Sequence, residues 1–260
     1  MSFTLKILQD TFIKLQPVDS SQLPANQVRK VTASAKPIPV LSWANAANNH
    51  ISFKVTEKDA YYAYIPHISL TDADGNDVLK AKELVTQSQA DYIFETNTDA
   101  AILTDLNNCL VKFGITNKED IRMFLAQCAH ESGGLKWLEE FASGDDYEGR
   151  SDLGNTQVGD GRKFKGAGAL QLTGRSNYQA FADFMGDQEI VNQGCSYVAS
   201  KYAMSSAAFW WRNNDMTNYI VNQGATIEQV STRVNGANPA NGLSERIRYY
   251  ERAKEVIKDV

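Results

Sequence analysis

A chain of 260 residues is long enough for one large domain or two modest ones, and either buries a real core. Its hydrophobic share of 43% and charged share of 22% are ordinary for a globular protein, and no apolar run reaches the roughly 20 residues a spanning helix needs. The net charge of −5 divides into 9 − 10 = −1 for residues 1–96 and 17 − 21 = −4 for the rest, so neither half is a basic arm and nucleic acid is not an expected partner.

The N-terminal stretch MSFTLKILQD lacks the basic start, apolar run and small-residue cleavage site of an export signal, so the expectation is a chain made in the cytoplasm, with no membrane insertion. Residues 1–70 read as strand-rich. In NHISFKV the apolar Ile51, Phe53 and Val55 alternate with polar residues, and AYYAYIPHISL adds aromatic and β-branched ones, as half-buried strands require. QPVDSSQLPANQ and SAKPIPV interrupt them as loops. Residues 1–74 are therefore expected to form a small β-barrel or sandwich. TDADGND at 71–77 is read as a plain turn, because its glycine falls at the fourth place of a would-be calcium loop and not at the sixth, where the sharp turn is needed.

Residues 75–97 read as a connector, itself partly helical, and from about residue 98 the periodicity becomes helical. Ile102, Leu106, Cys109, Leu110 and Phe113 fall on one face, and Gly114 follows as a stop. Cys109, Cys128 and Cys195 are odd in number and show no CxxC pairing, which predicts three core thiols and neither a disulfide framework nor a zinc site.

A second helix is predicted from Asn117, a capping residue followed by Glu119 and Asp120, to a stop at Gly133-Gly134. Its buried stripe is Ile121, Phe124, Leu125 and Cys128, and helical spacing puts Glu131 on that same stripe. A carboxyl among apolar neighbours resists ionisation and is suited to donate a proton; the plain alternative is a glutamate at a helix end reaching water or an arginine. His130 suggests HExxH, but the second histidine position holds Gly134, so no zinc site is expected. Cys128 and His130 lie about 200° apart around the helix, which disfavours thiol chemistry. If the helix continued, Glu140 would lie about 13 Å further along the axis. A fold-back at the glycines brings it toward Glu131, and two carboxyls about 5–9.5 Å apart are what hydrolysis of a glycosidic bond requires.

AHESGG, GDGRKFKGAGALQLTGRSNY and the later VNG and SER, taken together, resemble glycoside hydrolase family 19, the chitinases and related phage and bacterial endolysins, over roughly residues 98–260. The resemblance implies a mainly α-helical, lysozyme-like catalytic domain that inverts the anomeric centre. It makes Glu131 the general acid and Glu140 the general base, with Glu139 the rival for that role. Thr173 would hold the attacking water, Gln171 and Asn177 would bind sugar, Asn235 would face the substrate and Arg246 would sit beside the acid pair. Tyr147 and Tyr178 are added as sugar contacts, Tyr178 with a structural role as the equal alternative, while Trp210 is expected in the core; Trp137 and Trp211 are further aromatic candidates. Two departures stand out: Ala167 replaces an arginine common in relatives, and NGANPANG lacks an acid found in plant enzymes.

The N-terminal part is loosely similar to bacterial SH3-like domains, which implies a wall-binding module. The expected architecture is thus multidomain α and β: a small SH3-like barrel at 1–74, a linker at 75–97 and a helical catalytic domain at 98–260. The expected activity is cleavage of β-1,4 links in peptidoglycan by a monomer without cofactor or metal, acting on the wall after host-cell lysis. The alternatives are a chitinase, a non-catalytic wall-binding or virion component, and an amidase or peptidase.

Overall fold

The computed structural model describes residues 3–46, 50–75, 77–79 and 83–258. The chain divides into two compact units, Met1–Ala81 and Lys82–Val260.

In the first unit the strands are Phe3–Ile7 (β1), Thr11–Lys14 (β2), Val28–Val31 (β3), Ile38–Val40 (β4), Ser42–Ala46 (β5), His50–Lys54 (β6), Ala60–Tyr64 (β7) and Ile68–Thr71 (β8). They form two antiparallel sheets, ordered β4-β1-β8 and β3-β2-β7-β6-β5. Alternation sets the register: Ile51 faces Ala63 and Phe53 faces Tyr61, and Ile51, Phe53 and Ala63 are buried with Leu5, Ile7, Val40, Ile68 and Leu70. Among the described residues the strands do not close into a barrel, β3 and β4 both being sheet edges, so the closed form of the SH3-like expectation is not seen. At 71–77 the chain turns, with Gly75 N–H bonded to Asp72 O and the Asp77 carboxylate accepting from Leu70 and Leu79 N–H; Asn76 lies outside the described residues.

The second unit is helical: Gln87–Phe94 (α1), Ala100–Lys112 (α2), Lys118–Glu131 (α3), Asp160–Lys163 (α4), Arg175–Met185 (α5), Glu189–Gln193 (α6), Cys195–Lys201 (α7), Ala203–Asn213 (α8), Met216–Val221 (α9), Ile227–Asn235 (α10) and Leu243–Val256 (α11). Helix α1 is the helical part expected within the connector at 75–97, and it packs into the helical core. Thr86 and Gln89 cap it reciprocally, and Ala90, Ile93 and Phe94 are buried in the helical core, because a capped amphipathic segment gains more by packing than by remaining a tether. The central helix is α3, buried without interruption from Asp120 to Ala129 and packed along α11. Asn117 caps it by accepting from Glu119 and Asp120 N–H. Trp211 lies in this core, its Nε1–H donating to Asp120 Oδ1 at 2.8 Å, and burial raises the Asp120 carboxyl above its usual range.

Candidate active site

Helix α3 ends at Glu131 because the chain then takes three left-handed residues in a row, Gly133, Gly134 and Leu135 (φ 58°, 71° and 67°). Gly134 is needed twice over: its φ disfavours a side chain, and a Cβ there would sit 2.5 Å from the Phe94 carbonyl oxygen of α1. The hinge sends the chain back toward a small β-like patch in which Glu139 bridges Ala167 and Ala167 bridges Leu172. That patch carries Glu140, Gly166 and Gln171.

Glu131 does not meet the purely oily surroundings its helical position suggests. Its side chain is 28% exposed, and Arg246 Nη2 of α11 lies 2.5 Å from Oε1. Arg246 is itself 1% exposed. Its Nη1 donates to Gln127 Oε1 at 2.5 Å and its Nε to the Asn241 carbonyl at 3.0 Å, while Gln127 Nε2 donates to Ser231. Asn235 holds the same loop from the other end, accepting the Asn241 N–H at 2.8 Å. No hydrogen bond to Glu131 Oε2 is made among the described residues. His130 bonds Glu245 at 2.7 Å and packs against Gly242, where a Cβ would come within 2.1 Å of the ring. It therefore braces the start of α11, as a structural histidine should.

Glu140 is held by neutral donors. The Tyr147 hydroxyl donates to Oε1 at 3.1 Å and the Gly166 N–H to Oε2 at 2.9 Å, while Lys165 Nζ donates to the Glu140 carbonyl at 2.8 Å. Tyr147 is fixed in turn by Asn155, fully buried, whose amide donates to the Tyr147 carbonyl and accepts from Arg175 N–H. Burial and the adjacent Glu140 push the Tyr147 hydroxyl above its ordinary range, so it remains a donor. Glu139, the rival base, is otherwise engaged: Lys165 lies 3.1 Å away and Ser196 donates at 2.9 Å. Burial opposes ionisation there, but the Ser196 hydroxyl and the Lys165 ammonium outweigh it and hold Glu139 below the usual carboxylate range.

A cleft of about 390 Å³ is lined by Gln171, Thr173, Asn177, Trp210, Asn213 and Asn214, among others. Gln171 joins it to Glu140: a Cβ on Gly166 would touch Gln171 Oε1 at 2.5 Å and Glu140 Oε2 at 3.0 Å. Thr173 donates to the Gln171 carbonyl at 2.9 Å, and Asn177 to the Thr173 carbonyl at 2.8 Å. Tyr178, open between a sugar contact and a structural role, takes the structural one: it is completely buried with its hydroxyl on the Lys165 carbonyl at 2.7 Å, because its place on α5 faces Phe164. Trp210, expected in the core, is half-buried: it packs against the helical core and also lines the cleft, while its neighbour Trp211 is fully buried. Trp137 and Phe141 form an exposed pair with centroids 4.5 Å apart. All three cysteines are buried; burial, and then the nearby Glu131 charge, keep the Cys128 thiol well above its ordinary range. Gln127, Asn155, Asn213 and Asn214 were not among the expected site residues. Gln127 was within reach of the sequence, since it lies one helical turn before Glu131 on the same face.

No family model matches the chain. It is 29% identical over 172 residues to a glycosyl hydrolase family 19 domain-containing protein of Haemophilus influenzae, covering 54% of this chain and 80% of that protein. It is 28% identical over 138 residues to an endochitinase of Arabidopsis thaliana, covering 53% of this chain and 47% of the plant protein; the chain spans about half the length of the plant relatives it matches. Chitinase C from Streptomyces griseus shares the fold with a TM-score of 0.53 at 23% identity, over 67% of this chain and 93% of that one. A class IV chitinase from Zea mays does so with a TM-score of 0.52 at 19% identity, over 68% and 94%. The fold and the relatives are those of glycosidases. They agree with the resemblance to glycoside hydrolase family 19 read from the sequence.

Proposed function

We propose that the helical unit hydrolyses β-1,4 links between N-acetylated sugars of peptidoglycan by an inverting mechanism. The observation that carries this reading is the unlike support of two carboxyls, Glu131 on a buried arginine and Glu140 on a tyrosine hydroxyl and a backbone N–H. Glu131 delivers a proton from Oε2 to the departing glycosidic oxygen, and the carboxylate left behind is met by Arg246. Glu140, with its oxygens oriented as acceptors by Tyr147 and Gly166, takes a proton from water as the water attacks the anomeric carbon. Thr173, Gln171 and Asn177 line the cleft with groups that both donate and accept, suited to water and N-acetyl groups. The β unit holds the wall polymer, which the chain reaches on host-cell lysis.

Chitin is the second reading, favoured by the endochitinases among the relatives. Mass spectrometry of digested wall fragments and of chitin oligomers separates the two, since the new reducing end names the bond cut; cleavage of chitin alone would select the second reading. Glu131→Gln keeps the shape and removes the donor, with an expected loss of roughly 10²–10⁴-fold in rate. An unchanged rate would falsify the acid role.

A further inference from the structure

The β unit contains a groove of about 780 Å³, within the roughly 300–1,000 Å³ range of ligand sites. It runs between β3, which contributes Val28, Arg29 and Val31, and β4, which contributes Ile38, with Lys36 on the turn that joins them. Both strands are sheet edges: β3 pairs only with β2 and β4 only with β1 among the described residues. Of the two, β3 offers backbone N–H and C=O groups on its open side, whereas Pro39 at the centre of β4 has no N–H to give. Its floor is apolar. Ile13, Val31, Ile38 and Tyr61 are partly buried hydrophobics packed against the buried core of the unit.

The charges at the groove are uneven. Arg29 and Lys36 are exposed and make no ion pair or hydrogen bond among the described residues, whereas Lys14 is buried with its ammonium on the Val18 carbonyl at 2.7 Å. Asp59 is the one acid in the lining. A neutral sugar polymer has no use for two unpaired cations above an apolar floor. A peptide uses all three features: its amides pair with an open strand edge, its small side chains cover the floor and its carboxylates meet the cations.

We propose that this groove binds a short, extended, carboxylate-bearing peptide and, resting on the wall-cleaving reading above, that this peptide is the stem peptide of peptidoglycan. Chitin carries no such peptide. On this proposal, what anchors the protein to the wall is the peptide, and the sugar strand is left to the helical unit.

The test uses the full chain labelled at isoleucine and valine methyls and titrated with the soluble stem tetrapeptide L-Ala-γ-D-Glu-L-Lys-D-Ala. The expected result is movement of the Ile13, Val31 and Ile38 methyl signals, weakened about tenfold in Arg29→Gln/Lys36→Gln and weakened again by salt. Both side chains are exposed, so the unchanged remainder of the methyl spectrum certifies the fold of the double variant; the salt titration of the unaltered chain tests the same charges if it does not fold. Signals that stay still, or binding indifferent to both the double substitution and salt, would overturn the proposal. So would chitohexaose moving the same methyls, or an all-L acidic peptide binding where the stem peptide does not, which would make the partner a protein. Peptide-free glycan strands keep the two readings apart. If they are cut while the stem peptide does not bind, this inference fails alone; if the stem peptide binds and no glycan is cut, the catalytic reading fails alone.

Discussion

Glu131 and Glu140 lie on opposite sides of one glycine hinge and are held by different physics. Glu131 ends a buried helix and leans on a guanidinium whose other donors are taken by Gln127 and the Asn241 carbonyl. Glu140 sits on a fragment of β structure and is oriented by a hydroxyl and an amide. A rigid, charged support suits a group that becomes an anion as it gives up its proton. Neutral donors suit a group that must accept one without being locked in an ion pair. Glu139 shows the contrast within one dipeptide: its lysine partner makes it a strut.

The largest effect follows from that contrast. Glu140→Gln should lower kcat by roughly 10²–10⁴-fold, whereas Glu139→Gln, which loses a part-buried ion pair but keeps an amide oxygen to accept from Ser196, should stay within a few-fold. Steady-state rates on peptidoglycan and on chitin oligomers measure both, and a reversed order would move the base to Glu139.

Next in size is Arg246→Met. It strips the donors from Gln127 Oε1 and the Asn241 carbonyl and leaves Glu131 without its cation, at an expected cost of about 3 kcal/mol. Glu131→Gln should cost less, because the amide oxygen can still accept from Arg246, which keeps its bonds to Gln127 and the Asn241 carbonyl. Urea midpoints of the two variants compare the supports directly; equal midpoints would mean that Arg246 serves Glu131 alone.

The acid side was the more legible in sequence, since helical periodicity and an Asn cap place Glu131 at the end of a buried helix with no knowledge of the rest of the fold. Its electrostatics were not legible in that pattern, because Arg246 comes from 115 residues away and only the family resemblance pointed to it. The proposed base side depends on contacts across a hinge: Tyr147 was singled out, but the Gly166 N–H and the Asn155 amide act on partners that no local pattern signals. The same reason explains Tyr178 and Trp210, whose buried and half-buried positions are decided by what α5 and α8 meet. In the β unit, alternation found the strands, but barrel closure depends on how the edges β3 and β4 lie to each other, which alternation does not encode.

A third carboxyl shows what burial does with no cation at hand. Asp105 of α2 accepts from Met204 N–H at 2.7 Å, Ser205 N–H at 3.0 Å and the Ser205 hydroxyl; it satisfies the start of α8. Desolvation outweighs those donors and raises its pKa from 3.8 to about 6. Below about pH 3 it is protonated in the folded and unfolded chain alike, and the shift costs nothing. As the pH rises toward 6 the unfolded chain gives up a proton that the folded chain keeps, so stability falls, and the penalty is fully present above about 6. Asp105→Asn removes this titration. The loss of stability between about pH 4.5 and 7 should shrink by about 2 kcal/mol relative to the unaltered chain, as read from urea midpoints at the two pH values. An unchanged pH dependence would mean that water reaches the carboxyl.

The smallest effect tests the neutral support itself. Tyr147→Phe keeps the Asn155 bond to the backbone carbonyl and removes a single donor from Glu140 Oε1, leaving Gly166 N–H on Oε2. One hydrogen bond to a charged acceptor is worth about 1.5–3 kcal/mol. The tyrosine is partly open to water, which can replace the lost hydroxyl, so the lower end applies and kcat should fall about tenfold. KM should hold nearly constant, because the hydroxyl orients a proton acceptor and is committed to Glu140. A rise in KM with kcat unchanged would place Tyr147 among the sugar contacts instead, and Glu140 would then owe its orientation to the backbone amide alone.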